Sequence, residues 1–256
     1  MTKLLWKERI YMMEKFIPND SDKAIMSCVD NYRRIKEEVC ETAVKSGRKE
    51  SDVRLMAVTK TVEPLYINAV LDDGANLIGE NRVQEYMGKR DSLHLDGVEK
   101  HLIGHLQSNK AKYIVGEVDI IESVDSLKIA NAISKECAKK GTEQNILVEI
   151  NIGQEESKSG ISLDNAEELI EEISNLPYIN IKGLMTVPPI CEDNSKLMKY
   201  FDKMYQSFID IKAKKLDNVS MDILSMGMSN DFKTAILCGS NLVRVGSSIF
   251  GARKYY

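Results

Sequence analysis

Lys60 is the first residue whose chemistry needs an explanation, because it follows a short apolar run at residues 55–58 in the segment LMAVTKTVEP. With the alternation of a β-strand, its side chain shares one side with Met56 and Val58. An amine held in a partly desolvated pocket has a lowered pKa and can form a Schiff base with an aldehyde or ketone. The alternative is a lysine that extends to solvent or pairs with a loop carboxylate, and Lys60 alone does not decide between them.

Two later segments place glycine beside serine after apolar runs: SMGMS at residues 225–229 and VGSS at residues 245–248. Glycine lets backbone N–H groups approach a ligand, and serine hydroxyls add hydrogen-bond donors. Such pairs also occur in ordinary turns. Both segments end the last two predicted strands, which is where (β/α)8 barrels commonly hold a phosphate, so we expect a phosphate cradle here.

Arg244 lies inside the last apolar run, where an unpaired charge would be prohibitively costly. It either faces a ligand, on the same side as Gly246, or forms an internal salt bridge to a carboxylate such as Glu149 or Asp222. An amine, a phosphate cradle and an inward arginine together describe pyridoxal 5'-phosphate (PLP), an aldehyde with a phosphate and a pyridine nitrogen. An arginine facing that nitrogen would keep it unprotonated and weaken the ring as an electron sink.

The segments that position these residues are short β-type runs that alternate with helical patterns. The predicted strands span residues 54–59, 76–79, 100–103, 119–122, 145–152, 180–186, 221–225 and 242–245. The predicted helices span residues 64–72, 83–93, 109–115, 126–140, 163–175, 194–214 and 231–238, and a further helix at about 23–46 precedes the first strand.

This alternation indicates an α/β fold, a single-domain (β/α)8 barrel. An open doubly wound sheet is the competing architecture, and it would normally place a glycine-rich phosphate loop after its first strand. Here KTVEP follows the first strand, and neither GxGxxG nor GxxxxGK[ST] occurs in the sequence. We therefore expect a barrel over residues 23–256, preceded by an N-terminal helical extension at residues 1–22.

Composition and charge exclude several classes of function. The net charge is −4 without a dense basic block, which disfavours a nucleic-acid partner. No apolar run approaches the ~20 residues of a membrane span. The five cysteines include no CxxC pair, as expected for reduced thiols in a cytoplasmic protein. His101 and His105 are four residues apart but have no evident third ligand, so we expect no metal site.

Seven motifs in order carry a resemblance to a known family: LMAVTKT, IGENRVQE, HLIGHLQSNK, SKSGI, GLMTVPP, LSMGMSNDF and LVRVGSSIFGAR. From about residue 23 to residue 253, the chain resembles the YggS/PROSC family of PLP-binding proteins, relatives of the N-terminal barrel of alanine racemase. The resemblance implies a barrel of that type and a role in PLP homeostasis without an established reaction. It also implies PLP as the ligand and, transiently, apo PLP-dependent enzymes as partners, with the protein as a monomer.

The resemblance assigns roles by position. Lys60 would carry PLP as a Schiff base, Arg244 would face the ring nitrogen, and Asn81 would lie near the ring. The residues assigned to the phosphate cradle are Ser225, Gly227, Ser229, Gly246 and Ser247, and Met226 is a further cofactor-binding residue. His101, Gln107 and Asn109 belong to the third motif without a clear role. His105 stands where proline is common and Ser247 where threonine is common, and serine keeps the hydroxyl.

Three functions fit these residues. The first is a PLP carrier or buffer without catalysis. The second is an amino-acid racemase, which needs a second acid–base group; alanine racemase takes that tyrosine from an additional β-domain, whereas this sequence ends in GARKYY, so we expect weak activity at most. The third is a class I aldolase, whose Schiff-base lysine usually lies on a later strand than that of Lys60.

Overall fold

The computed structural model describes residues 19–155, 158–191 and 193–251. Most of the expected N-terminal extension, residues 1–18, lies outside the described residues. Eight strands form one closed barrel in the order β1 to β8, and every neighbouring pair is parallel. The predicted (β/α)8 architecture is therefore confirmed.

The strands lie within about two residues of their predicted bounds. They are β1 Arg54–Val58, β2 Leu77–Glu80, β3 Glu99–Leu102, β4 Ile120–Val124, β5 Gln144–Ile150, β6 Ile179–Thr186, β7 Val219–Ser225 and β8 Leu242–Val245. Most are rich in apolar residues, as expected for strands buried on both faces by a lumen and a helical layer, whereas β3 carries Glu99, Lys100 and His101.

The helices cover the outside of this barrel. They are α1 Asp20–Lys45, α2 Pro64–Asp72, α3 Val83–Lys89, α4 Ala111–Ile114, α5 Leu127–Lys140, α6 Leu163–Ser174, α7 Asn194–Lys214, α8 Phe232–Leu237 and α9 Ser247–Phe250. Short 3-10 turns span Glu50–Asp52, Arg90–Ser92 and Ser108–Lys110. The helix predicted at 83–93 is thus a shorter α-helix followed by a 3-10 turn.

The first helix begins earlier than predicted because of its cap. The Asn19 side chain accepts a hydrogen bond from the Asp22 amide at 2.9 Å, and the Asp22 carboxylate accepts one from the Asn19 amide at 3.1 Å. The buried face of α1 includes Tyr32, Ile35 and Val39, at helical spacing. This face packs in one apolar cluster with side chains of β1 and β8.

The barrel lumen contains apolar and charged side chains. Two apolar groups fill part of it, namely Met56, Val58, Leu77 and Leu242, and Ile120, Leu147 and Met185. His101 of β3, Glu122 of β4 and Arg244 of β8 are also buried and connect through hydrogen bonds or ion pairs across the barrel. A lumen with buried charges needs internal partners, and these are described below.

Candidate cofactor-binding site

The carboxyl ends of the strands bring the sequence-predicted residues to one end of the barrel. Lys60 lies two residues beyond β1, Asn81 follows β2 directly, and Gly246 follows β8 directly. Because all the strands are parallel, these ends meet at a common mouth. Lys60, Gly246 and Ser247 line one cavity of about 630 Å³, together with residues of α1 and α2. That volume is in the range of small-molecule sites.

The loops after β7 and β8 are joined by serine hydroxyls. The Ser247 hydroxyl donates to Oγ of Ser229 at 3.1 Å, and the Ser248 amide lies 3.5 Å from the same oxygen. Asp231 holds the first of these loops, because its carboxylate accepts a hydrogen bond from the Met228 amide at 2.5 Å. Hydroxyl and amide donors grouped in this way suit an anion.

The two glycines of this cradle lie close to neighbouring backbone, and the space at Gly227 admits no Cβ. Gly227 has φ +99°, and a Cβ there would lie 2.6 Å from Cβ of Ala235 and 3.0 Å from Cα of Phe232. A Cβ on Gly246 would lie 3.2 Å from the Val58 carbonyl oxygen. The two loops therefore keep their backbones close to α8 and β1. The residues present fit the phosphate of PLP, which needs such close-approaching backbone and hydroxyl donors.

Arg244 is buried in β8, and its guanidinium donates three hydrogen bonds. Its Nη1 donates to the Ser225 carbonyl at 2.8 Å and to the Ser225 hydroxyl at 2.5 Å, and its Nη2 donates to the Thr186 carbonyl at 2.7 Å. Nη1 also lies 3.7 Å from Oε2 of Glu122. The internal carboxylate in ion-pair contact with Arg244 is therefore Glu122, whereas the sequence suggested Glu149 or Asp222.

Ser225, at the end of β7, is hydrogen-bonded inside the barrel. Its hydroxyl is fully buried, donates to Glu122 Oε2 at 2.6 Å and accepts from Arg244. The Ser225 side chain thus links Glu122 and Arg244 inside the barrel, and its place in the phosphate cradle stays a prediction. Met226 is also buried, and the next residue, Gly227, accepts a backbone hydrogen bond from Arg244 at 3.0 Å. These contacts fix the loop beside the cradle.

A chain of charged groups continues from Arg244 through the lumen. Nδ1 of His101 lies 2.5 Å from Glu122 Oε1, and Nε2 lies 2.7 Å from Glu99 Oε1. Glu99 pairs in turn with Arg54 at 2.6 Å. Burial opposes a charged imidazole, but the hydrogen bonds that His101 donates to the two carboxylates outweigh it and raise the pKa of His101.

The pKa values of the two carboxylates, Glu99 and Glu122, are lowered. The hydrogen bond from His101 holds the pKa of Glu99 at about 2, against the opposing effect of burial. Burial would raise the pKa of Glu122, but His101 and Arg244 outweigh it and lower that pKa. The chain therefore alternates cationic and anionic groups, from Arg54 at one end of the barrel to Arg244 near the mouth.

Three buried oxygen atoms at the carboxyl ends of β2 and β5 have no hydrogen-bond partner among the described residues: Oε2 of Glu80, Oδ1 of Asn81 and Oε2 of Glu149. Gly104 packs against the backbone of Asn81 and leaves no room for a Cβ, which fixes the position of Asn81. Burial, with a smaller contribution from Asp125, raises the pKa of Glu149 to about 7. A ligand with polar groups would give these oxygens partners.

Comparison with known proteins decides the family. The family model for the alanine racemase N-terminal domain matches residues 30–254. A curated pyridoxal phosphate homeostasis protein from Aquifex aeolicus is 38% identical over 230 residues, which cover 90% of this chain and 100% of that relative. The chain belongs to the family of pyridoxal phosphate homeostasis proteins. The relative is named for homeostasis and not for an enzymatic reaction, and the resemblance inferred from the seven motifs is confirmed.

Solved structures agree with this family assignment. A crystal structure of an unknown protein from Bifidobacterium adolescentis superimposes with a TM-score of 0.85 at 33% identity, and covers 91% of this chain and 98% of that one. PipY of Synechococcus elongatus, solved with PLP bound, superimposes with a TM-score of 0.72 at 28% identity, and covers 83% of this chain and all of that one.

Other residues of the family motifs lie away from the Lys60 cavity. His101 is buried in the lumen, whereas Gln107 and Asn109 are exposed at the 3-10 turn after β3. His105 is exposed, and its Nδ1 lies 3.9 Å from Asp125. In the described part of the chain, no group of three or more His, Cys, Asp or Glu residues could hold a metal ion, and no helix is long and apolar enough to cross a membrane.

Sequence reasoning missed the supporting residues of the site. Glu122 and Thr186 contact Arg244 from β4 and β6, and Lys89 of α3 reaches the backbone next to Lys60. The available signal was a charge inside an apolar run, as in IIESV of β4. A charge in such a run needs a partner, but its spacing in the sequence does not name one.

Proposed function

We propose that the protein binds PLP as a Schiff base on Lys60 and takes part in PLP homeostasis, by holding the cofactor and delivering it to apo-enzymes without a reaction of its own. The observation that carries the proposal is the common cavity of Lys60, Gly246 and Ser247 in a family with a PLP-bound member, PipY. An amine beside a glycine–serine anion cradle matches the aldehyde and phosphate of PLP.

In this proposal the residues divide the work. Ser229, Gly246 and Ser247 hold the phosphate through hydroxyl and backbone donors, and Lys60 supplies the amine. Arg244 faces the pyridine nitrogen and stays fixed by its bonds to Ser225 and Thr186. When bound, PLP supplies an electron sink for amine chemistry, and a guanidinium beside its nitrogen disfavours the protonated ring that makes this sink strong. This arrangement favours storage over catalysis.

The primary test is the visible spectrum of the purified protein after incubation with PLP and removal of unbound PLP by gel filtration, before and after borohydride reduction, followed by peptide mass mapping. We expect a yellow absorbance that disappears on reduction, with the pyridoxyl mass on the peptide that contains Lys60. Lys60→Ala should lose the absorbance and keep the fold, while Lys100→Ala, remote from the cavity, should behave as the wild type. A wild-type protein that stays colourless would contradict the proposal and favour the aldolase interpretation.

The proposed partners and location follow from the same function. The five cysteines are free thiols, which fits a reducing cytoplasm. Lys60, Gly227 and Gly246 come from one chain, so the site needs no second subunit and we propose a monomer. Spectroscopic transfer of PLP to an apo-enzyme, sedimentation of the loaded protein, and an assay for racemisation of free alanine test these points. Transfer, a monomeric mass and negligible racemisation are expected.

A further inference from the structure

Both neighbours of Lys60 in the chain are bound to one cluster of charged side chains. Thr59 is buried, and its amide donates to the Gly79 carbonyl of β2 at 3.0 Å. Its hydroxyl donates to the carboxylate of Glu80. Its carbonyl accepts a hydrogen bond of 2.7 Å from Nζ of Lys89. Thr59 is thus fixed through its amide, hydroxyl and carbonyl.

Thr61, on the other side of Lys60, has φ +61°, in the left-handed region that a β-branched residue rarely adopts. Its amide donates to the Glu85 carboxylate on α3. The same carboxylate lies 3.1 Å from Nζ of Lys89. A charge-assisted hydrogen bond therefore holds Thr61 in a conformation that its own side chain disfavours.

Lys89 contacts the Thr59 carbonyl and both carboxylates that bind Thr59 and Thr61. Its ammonium group lies 2.5 Å from Glu80, 3.1 Å from Glu85 and 2.7 Å from the Thr59 carbonyl, which gives each of its three N–H bonds an acceptor. The side chains of Lys89 and Glu80 are only 9% and 1% exposed. Lysine and glutamate are almost never this buried unless paired, and the pairing here is directed at the backbone next to Lys60.

We propose that Lys89, Glu85 and Glu80 form a positioning cluster that sets the direction from which the Lys60 amine enters the cavity. The inference rests on the proposed Schiff base, and it adds what the family motifs do not assign: a role for a lysine on α3. The Lys60 side chain has four flexible carbon–carbon bonds. Fixing the backbone on both sides sets the direction of the Cα–Cβ bond, so that fewer of these side-chain conformers place the amine away from a bound aldehyde.

The direct test compares Lys89→Met with Lys140→Met. Lys140 is a matched control, because its amine also donates to a backbone carbonyl, that of Val115, at 2.7 Å and away from the cavity. The rate of Schiff-base formation with PLP should fall about tenfold to hundredfold in Lys89→Met, as expected for a misplaced reacting group, and stay unchanged in Lys140→Met.

A second ligand separates positioning from loss of the pocket. Pyridoxine 5'-phosphate has an alcohol in place of the aldehyde, so it occupies the phosphate cradle but forms no Schiff base. We expect equal affinity for it in wild type and Lys89→Met. Equal loss of both ligands would mean a structural defect and would overturn the positioning role. Binding of this analogue by a wild type that forms no Schiff base with PLP would refute the proposed attachment itself.

A milder pair of variants covers the case in which Lys89→Met does not fold. Glu85 is 24% exposed, so its replacement disturbs less buried structure. Glu85→Gln keeps an oxygen that accepts the Thr61 amide, whereas Glu85→Ala removes it. We expect slow Schiff-base formation in Glu85→Ala and substantial rescue in Glu85→Gln. Identical, wild-type rates in both variants would overturn the inference.

Discussion

Arg244 Nη1 and Glu122 Oε2 lie 3.7 Å apart inside the barrel, although β8 and β4 stand on opposite sides of it. Ser225 bridges them, because its hydroxyl donates to Glu122 and accepts from Arg244. On its other oxygen, Glu122 contacts His101. The orientation of Arg244 at the proposed site therefore depends on the buried carboxylate of Glu122. Glu122 itself does not line the cavity that contains Lys60.

Glu122→Gln should destabilise the protein strongly. The amide keeps the shape of the side chain but leaves the charges of Arg244 and His101 without their shared partner, and breaking a buried ion pair on one side typically costs about 3–5 kcal/mol. Urea unfolding measures this free energy. Asp119→Asn is the control, because Asp119 pairs with Lys100 at 3.0 Å in a half-exposed position, where an ion pair contributes about 0–1 kcal/mol. Similar losses in both variants would contradict the role of Glu122.

The His101 network should give stability a pH optimum. The folded pKa of His101 is raised above 6.5, so its contribution is fully present below pH 6.5 and is lost as the pH rises through the folded pKa. The pKa values of Glu99 and Glu122 are lowered from 4.5, so their contributions are present above pH 4.5 and are lost as the pH falls. The network thus stabilises most between about pH 4.5 and 6.5.

His101→Gln tests this window by urea unfolding from pH 4 to pH 9. The difference in unfolding free energy between wild type and variant should be largest near pH 5–6, where about all of the paired charge is present. It should shrink on both sides of that range. NMR titration of the His101 ring reports the folded pKa directly. A difference that does not vary with pH would mean that His101 contributes by packing and not by charge.

The fold was predictable from the sequence because apolar runs and helical patterns alternate with little ambiguity. The helix predicted at 83–93 shows the limit of that reasoning. The α-helix ends at Lys89, beside Gly88, and continues as a 3-10 turn at Arg90–Ser92. The Lys89 amine donates to the Thr59 carbonyl, and the periodicity of a helical sequence cannot predict such a tertiary contact.

The site likewise has a part that the sequence predicts and a part that it does not. Residues that follow strands, such as Lys60 and Gly246, were predictable because a parallel barrel brings all carboxyl ends together. The partners of Arg244 were not, because Glu122 lies more than a hundred positions before it and its pairing depends on barrel register. The hydrogen bond from the Ser225 hydroxyl to Glu122 was not predictable for the same reason, since it spans 103 positions.

Glu149→Gln should stabilise the cofactor-free protein at neutral and alkaline pH. The folded pKa of Glu149 is raised from 4.5 to about 7, so between these values the folded state holds more protons than the unfolded state, and stability falls as the pH rises. Glutamine removes this dependence. The variant and wild type should differ little below pH 4.5, and the variant should be more stable by up to about 3 kcal/mol above pH 7.

Urea unfolding at a series of pH values measures this difference. Glu168→Gln, at an exposed position of α6, is the control and should leave the pH dependence of stability unchanged. If Glu149→Gln has the wild-type unfolding free energy at every pH, the pKa of Glu149 is not raised by burial, and the prediction is wrong.

Gly227→Ala and Gly74→Ala isolate the effect of crowding at the cradle, because both glycines have φ +99°. A Cβ on Gly74 meets nothing within 4 Å, so its replacement should cost only the backbone strain of about 1–2 kcal/mol. A Cβ on Gly227 meets Ala235 and Phe232, which should add about 1–3 kcal/mol of overpacking. Urea unfolding gives both values.

The same pair of variants tests the effect on ligand affinity. Because α8 must shift to relieve the contact, the loop after β7 moves with it, and affinity for pyridoxine 5'-phosphate should fall in Gly227→Ala alone. Equal losses of stability and affinity in the two variants would mean that the backbone angle, and not the closeness of α8, makes glycine necessary at the cradle.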